Sequence, residues 1–180
     1  MSKKHIRYFG GFIETEQRWL NRMSAKGYRL IRTGKLWFEF EECEPNQYEY
    51  YIDFVGHKSN SEKKHYMKFL RDFGYRVITK NMKFNNNKEV LIIERHHEDK
   101  PFAPHSTNED KITYYKPQRD AYFILFLLSL FLFIRNSFVK EEWFILSTWL
   151  FLVASVITFL PTLFYQKHIN QLKKEAELSE

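Results

Sequence analysis

Two apolar runs near the end of the chain limit most strongly what it can fold into. Residues 143–165 contain no charged side chain, and as a helix with a rise of about 1.5 Å per residue they would extend roughly 34 Å. That length crosses the hydrocarbon core of a bilayer, which is about 30 Å thick. The earlier run, residues 121–134, covers only about 21 Å before Arg135. It spans as well if the helix continues to Val139 while Arg135 reaches the headgroups.

We therefore predict a transmembrane helical hairpin at 120–165, with helices at about 120–139 and 143–165. The alternative is a buried helix pair in a soluble core, where two long and nearly uncharged segments are unusual. Aromatic and basic side chains near the ends of the runs are typical of a membrane interface. These predicted interface residues are Arg119, Tyr122, Arg135, Trp143, Tyr165 and Lys167.

The distribution of basic residues around the hairpin predicts its orientation. The flanks carry more of them than the turn does, and cytoplasmic segments are the ones enriched in Lys and Arg. The flanking residues are Lys111, Lys116, Arg119, Lys167, Lys173 and Lys174, against Arg135 and Lys140 in the turn. We expect a multi-pass protein of the cell membrane with both termini in the cytoplasm. The first residues are basic but lack the apolar core of a secretory signal, so none is expected.

The remaining residues are enough for one soluble domain with a modest core. The formal net charge is +6, and residues 121–180 hold as many acidic as basic side chains, so the excess lies before the hairpin. This placement suits a domain that faces the anionic cytoplasmic leaflet. The single cysteine, Cys43, excludes an internal disulfide. We assign 1–97 to the cytoplasmic domain, 98–119 to a polar linker, and 166–180 to a short charged tail.

Within that domain, hydrophobic periodicity predicts strands and two amphipathic helices. The first helix carries its apolar stripe at Trp19, Leu20 and Met23. The second begins at an S-x-x-E capping box, Ser59 to Glu62, and its predicted apolar face is formed by Tyr66, Phe69, Leu70 and Phe73. Both helices end at a Gly-Tyr-Arg sequence, at Gly27 and Gly74, that leads into a strand. Sliding the chain by about 47 residues superimposes these positions, which indicates an internal repeat; the alternative is coincidence, because glycine commonly follows helices. Two βαββ units would form one antiparallel sheet with both helices on one face, a ferredoxin-like α+β fold.

No pattern of residues typical of catalysis or of cofactor binding is present, so we predict no catalytic residue, cofactor or metal. His96 and His97 are adjacent and would point apart on a strand, which disfavours a shared metal. Acidic neighbours raise the pKa of a thiol, so Cys43 is not expected to act as a nucleophile. Lys and Arg interleave with aromatic residues as in nucleic-acid-binding sheets, but a membrane-facing domain explains this equally well, and we disfavour nucleic acid.

Three strand residues are the candidates for binding a partner protein: Trp37, Tyr51 and Asp53. They alternate with apolar neighbours, so we expect them on the uncovered side of an antiparallel sheet. The alternative for Asp53 is an ordinary solvated position. In the second hairpin helix, small and hydroxyl residues suit close packing, either with the first helix or with another copy of the chain. These residues are Ser147, Thr148, Ala154, Ser155 and Thr158.

The pattern E-x-x-W-L-x-x-M-x-A-x-G-Y-x-L runs from Glu16 to Leu30 and is followed by aromatic strands with Trp37, Tyr48 and Asp53. Over about residues 7–95 the chain resembles a bacterial family known as domain of unknown function 2812. Tyr28 departs from the tryptophan that is more frequent there. The resemblance implies C-terminal transmembrane helices, because members often carry them. It also implies a PadR-like transcription regulator as a possible partner, since the genes are often neighbours in Gram-positive bacteria. It implies no enzyme activity.

The sequence thus favours a membrane-anchored, non-enzymatic regulatory or adaptor protein whose cytoplasmic domain binds a partner protein. One alternative is a small-ligand sensor or enzyme with a pocket between sheet and helices. Polar groups with displaced pKa values near Asp53 would favour it. Another alternative is a membrane stress or immunity protein that acts through the hairpin, which could also associate with further copies.

Overall fold

The computed structural model describes residues 3–34, 36–80, 89–99, 107–138 and 142–178, without the side chains of 79, 80 and 142–144. The chain divides into two compact units, Met1–Ser106 and Thr107–Glu180. The described residues of the first unit form eight elements: β1 Lys3–Ile6, α1 Ile13–Ala25, β2 Tyr28–Thr33, β3 Trp37–Glu42, β4 Tyr48–Phe54, α2 Asn60–Asp72, β5 Arg76–Lys80 and β6 Val90–His96. All strand pairs are antiparallel, so the predicted α+β class is confirmed.

The strands form two three-stranded sheets, whereas the sequence predicted a single sheet. The first sheet has the order β1-β3-β2 and the second β4-β6-β5. The two sheets do not join into one, because side chains of the second sheet bond the backbone groups at the outer edge of β2. The Leu30 N–H donates to the Tyr50 hydroxyl at 2.8 Å, and Arg76 donates to the carbonyls of Leu30 at 3.1 Å and Ile31 at 2.8 Å. These bonds take the place of a strand ladder.

Helix α1 packs on the first sheet through the stripe that the sequence predicted. Trp19, Leu20 and Met23 are buried. The Trp19 ring contacts the rings of Phe38 at 4.9 Å and Phe40 at 5.5 Å, both nearly edge-on. Aromatic contacts of this kind add to the stabilisation from apolar burial.

Helix α2 begins at the predicted capping box: the Glu62 N–H donates to Ser59 Oγ, and the Ser59 N–H to Glu62 Oε2. Its buried face differs from the predicted one. Leu70 is buried, but Phe69, which the sequence placed on the same stripe, is exposed. The reason is that the buried face also includes Lys63, whose amino group pairs with Glu89 at 3.0 Å. Phe69 lies about 100° around the helix from Leu70 and points away.

The two halves of the first unit share one topology. Each runs strand, helix, strand, strand, and in each the last strand lies in the centre and pairs with the other two. The registers also correspond, because Arg29 pairs with Glu41 in the first sheet and Arg76 with Glu94 in the second.

The second unit consists of two helices, α3 Asn108–Ser137 and α4 Glu142–Glu177. Both are longer than the predicted spans. The predicted linker at 98–119 is helical from Asn108 onward, since Thr107 and Asp110 form a second capping box with the Asp110 N–H donating to Thr107 Oγ1 at 3.2 Å. The segment predicted as a short charged tail continues α4 through Glu177.

Burial in the helix pair changes sharply along its length. Where the helices are polar in sequence, they bury a core of Ile112, Tyr114, Tyr115, Tyr165, Ile169 and Leu172. Along the apolar runs, by contrast, large side chains such as Leu128, Phe131, Leu146 and Val156 are exposed. Both helices are long and apolar enough to cross a membrane.

The glycines after α1 and α2 allow a matched test of the fold. Gly27 and Gly74 have φ of +80° and +85°, but a Cβ at Gly27 would lie 2.8 Å from the Cys43 carbonyl oxygen, while a Cβ at Gly74 would meet nothing within 4 Å. Gly74→Ala should cost about 1–2 kcal/mol, the left-handed backbone penalty alone. Gly27→Ala should cost roughly 3 kcal/mol or more, because backbone must also move.

Hydrogen-exchange mass spectrometry on the full chain in detergent micelles would measure both costs as the free energy of opening of the adjacent strands. Equal costs for the two variants would show that the close approach of Gly27 to the Cys43 carbonyl does not constrain the fold.

Candidate functional site

The three predicted partner-binding residues do not share one exposed face. Trp37 is exposed at the end of the first sheet. Tyr51 is half-buried and packs against the core beneath α2. Asp53 is buried and accepts a hydrogen bond from the Tyr66 hydroxyl at 2.6 Å. The predicted uncovered face of β4 is therefore covered by α2, and the solvated position proposed as the alternative for Asp53 is also wrong.

A shallow groove adjoins the Asp53–Tyr66 pair. It has a volume of about 440 Å³ and is lined by Lys58, Ser61, Glu62, His65 and Tyr66. Burial of the Tyr66 phenol, together with its hydrogen bond to the neighbouring carboxylate, raises the Tyr66 pKa well above its usual value. Tyr66 thus stays protonated at neutral pH and donates to Asp53. The groove offers a cation in Lys58 and an imidazole in His65 beside this fixed pair.

A buried polar cluster joins the two sheets around Glu94. Its Oε1 accepts from Arg29 Nε at 3.0 Å and Nη2 at 2.8 Å, and its Oε2 accepts from the Tyr50 hydroxyl at 3.1 Å. Arg76 Nη1 lies 3.4 Å from both oxygens. Burial, and after it the nearby carboxylate, raises the pKa of Tyr50 far above its ordinary range. Tyr50 and Glu94 are both buried, whereas the Arg29 and Arg76 side chains are 29% and 38% exposed, so the carboxylate is enclosed while the two arginines reach the surface.

Helix α1 also carries a polar stripe that closes the outer edge of β4. Gln17 Oε1 accepts from the Ile52 N–H at 3.0 Å. The Asn21 amide bonds both backbone groups of Tyr50, at 2.7 and 3.0 Å, and the Ser24 hydroxyl donates to the Tyr48 carbonyl. Sequence reasoning missed this set, although its helical spacing beside the apolar stripe was a visible signal.

The predicted membrane-interface residues cluster at the two ends of the apolar runs. Arg119 donates to Gln166 Oε1 at 2.8 Å across the helix pair. Tyr165 is buried against the other helix, and its hydroxyl donates to Gln118 Oε1 at 3.0 Å. Tyr122 stacks on its ring at 6.0 Å.

The remaining interface residues differ in what they contact. Arg135 is exposed in the last turn of α3, and Lys167 is exposed on α4. The side chain of Trp143 lies outside the described residues. Asn136 donates to Ser147 Oγ at 3.0 Å, and Ser155 is buried, so small residues of α4 serve packing with α3.

The described residues contain no group of three or more His, Cys, Asp or Glu side chains that could hold a metal ion. The pKa of the Cys43 thiol is raised, chiefly by burial and further by Glu41, Glu94 and Glu44. The acidic neighbours act in the expected direction, but burial is the larger cause.

Glu94 and Glu41 lie at corresponding positions of the two sheets, which allows a matched test of the Glu94 cluster. Glu94→Gln removes the charge shared by Arg29 and Arg76 and should lower the free energy of unfolding of the first unit by about 2–4 kcal/mol. Glu41 occupies the corresponding register position and also pairs with Arg29, but its side chain is 45% exposed against 2% for Glu94. Glu41→Gln should therefore cost less than about 1 kcal/mol.

Urea titrations of the full chain in micelles, followed by hydrogen exchange, would compare the two glutamine variants. Similar costs would contradict the assignment of Glu94 as the link between the sheets.

A search of curated proteins returned no match, and neither did a search of solved structures. One family profile does match, over residues 12–127, which is more than half of the chain and extends past the predicted limit at residue 95 into the first apolar run. This family is described as protein of unknown function (DUF2812). The chain thus belongs to the family that the pattern from Glu16 to Leu30 indicated, DUF2812.

Proposed function

We propose that this protein is a membrane-anchored, non-enzymatic adaptor. Helices α3 and α4 insert in the cell membrane as a two-span hairpin, and the first unit binds a partner protein in the cytoplasm. The observation that supports the membrane anchor is the change from buried to exposed side chains along the helix pair. Only 11% of the most apolar window of each helix is buried, while the polar ends bury a core. A surface of this kind is stable against lipid and not against water.

The length and charge of the hairpin support a two-span arrangement. Between Asp120 and Arg135 helix α3 offers about 21 Å of apolar length, and Arg135 in the last turn can extend to the headgroups. Basic residues are more frequent on the flanks than in the turn, so both termini lie in the cytoplasm on this proposal.

Cysteine labelling of intact cells tests the topology. In a Cys43→Ser background, Lys140→Cys should react with a membrane-impermeant maleimide. Leu178→Cys should react only after permeabilisation. Residue 140 lies between the two predicted spans and Leu178 lies beyond the second and is exposed, so the side of the membrane decides the result. The opposite pattern would contradict the orientation, and release of the protein by carbonate without detergent would contradict the anchor.

The surface that best fits a partner protein is a pair of phenylalanines at the C-terminal end of α2. Phe69 and Phe73 are 44% and 62% exposed, and their ring centroids lie 4.6 Å apart. Adjacent exposed aromatic rings flanked by charge, here from Lys68 and Arg71, are typical of interface centres. The family resemblance makes a PadR-like regulator the first partner to test, by analogy only.

Affinity purification from detergent-solubilised membranes tests partner binding. The wild-type chain should recover a specific protein that Phe69→Ser/Phe73→Ser loses by at least about tenfold, because interface aromatics often contribute 2 kcal/mol or more each. Arg22→Ser/Lys26→Ser, at the corresponding positions of α1, is the matched control and should retain it. Recovery of no specific protein, or equal recovery by both variants, would contradict an adaptor acting through α2.

The groove beside Tyr66 favours a second candidate function, the sensing of a small ligand. The buried Asp53–Tyr66 pair with its raised Tyr66 pKa is the kind of polar group that marks binding sites. A thermal-shift screen of small metabolites tests it. A true ligand should stabilise wild type and the exposed-site control Lys64→Ala, and should fail to stabilise Lys58→Ala/His65→Ala.

We also propose that the first unit arose by internal duplication of a βαββ unit. The identical strand order of the two sheets and the corresponding Arg–Glu pairs support it. The connection between β5 and β6 is then an extension of the second copy.

A further inference from the structure

Four large apolar side chains are exposed together at one end of the first sheet. Ile6, Tyr8, Leu36 and Trp37 are 85%, 70%, 42% and 39% exposed. Ile6 lies directly opposite Trp37 in the β1–β3 ladder, and the Arg7 N–H donates to the Leu36 carbonyl at 2.9 Å. These contacts place two short segments of the chain side by side. We call this group of four the sheet tip.

The Trp37 side chain of the sheet tip is packed against Gly34. A Cβ at Gly34 would lie 2.2 Å from Trp37 Nε1, so the indole lies directly against the bare backbone of that glycine. The Gly34 N–H also donates to the Trp37 carbonyl at 2.9 Å, and the Thr33 hydroxyl donates to the same carbonyl at 3.2 Å. The Trp37 ring is thus held against Gly34, which lowers the entropic cost of binding through this side chain.

Two basic side chains lie beside the sheet tip. The Lys4 amino group lies 6.0 Å from the Trp37 ring, and the Arg7 guanidinium lies 5.3 Å from the Phe9 ring. In the described part of the chain neither forms an ion pair with a carboxylate. The nearby acids are already matched, because Glu39 pairs with Arg32 at 2.9 Å and Glu42 with Lys3 at 3.3 Å.

We propose that the sheet tip inserts into the interfacial region of an anionic lipid bilayer. Tryptophan and tyrosine favour the level of the headgroups, aliphatic side chains favour the acyl boundary, and lysine and arginine attract anionic lipid. The sheet tip combines all three classes. A protein partner would have to supply acidic groups around an apolar centre, whereas a bilayer that contains anionic lipid does so everywhere.

The proposal rests on the membrane anchor proposed above, which keeps a bilayer within reach. Asp99 and Thr107 are joined by a segment that extends at most about 30 Å. The polar part of α3 before residue 121 adds roughly 20 Å. Such a tether makes binding of the same membrane effectively intramolecular, so weak contacts suffice.

Depth-dependent quenching in nanodiscs tests the proposal on the full chain. In a Cys43→Ser background, a fluorophore is attached to Ile6→Cys, to Lys64→Cys on the exposed side of α2, or to Val153→Cys in α4. With phosphatidylcholine and phosphatidylglycerol mixed, spin-labelled lipid should quench the probes at residues 6 and 153 and leave the probe at residue 64 largely unquenched. Lys4→Gln/Arg7→Gln should lower the bound-to-free ratio of the sheet tip by about fivefold per charge.

The outcomes separate the two proposals. Quenching at residue 153 without quenching at residue 6 overturns the sheet-tip proposal and leaves the anchor standing. Absence of quenching at residue 153 overturns both. Equal quenching at residue 6 in pure phosphatidylcholine overturns the recognition of anionic lipid. Crosslinks between copies through residue 6 in lipid-free micelles would show that a second copy of the chain occupies the tip instead.

Discussion

The buried carboxylate of Glu94 is the interaction on which the first unit depends. It receives Arg29 from one sheet and Arg76 from the other, and Tyr50 closes its second oxygen. Two arginines that lie at corresponding positions of the two halves thus share one anion. A buried charge with this many donors is costly to break, because removing it leaves guanidinium groups without their partner. This one charge therefore links the two sheets through their side chains.

Side chains cover two of the sheet edges, and this limits which strands an incoming strand could pair with. Gln17, Asn21 and Ser24 cover β4, while Tyr50 and Arg76 cover β2. An incoming strand therefore cannot add to these edges, a route that exposed edges otherwise invite. Strand addition is thereby confined to the other edge strands, β1 and β5, and recognition elsewhere on the first unit would have to use side chains, such as those on α2 or at the sheet tip.

Periodicity and capping residues predicted the elements well, since these signals are local. The helix stripe around Trp19, the box at Ser59 and the glycine at 27 are all present as expected. What covers a strand is not a local property, however. Alternation along β4 correctly separated Tyr51 and Asp53 from their neighbours but could not show that α2 covers them. The seam between the sheets was hidden for the same reason, because it is made by side chains distant in sequence.

Side-chain burial differs between the polar ends and the apolar runs of the helix pair. Outside the apolar runs, Tyr115 and Ile169 help form a water-excluding core that needs no lipid. Inside them, helix contact relies on small residues and on the Asn136–Ser147 bond near the turn. Ser155 is buried, so this small residue of α4 serves packing within one chain. The contacts at the polar ends therefore align the two helices, and the exposed apolar surface belongs to the segments that are long and apolar enough to cross a membrane.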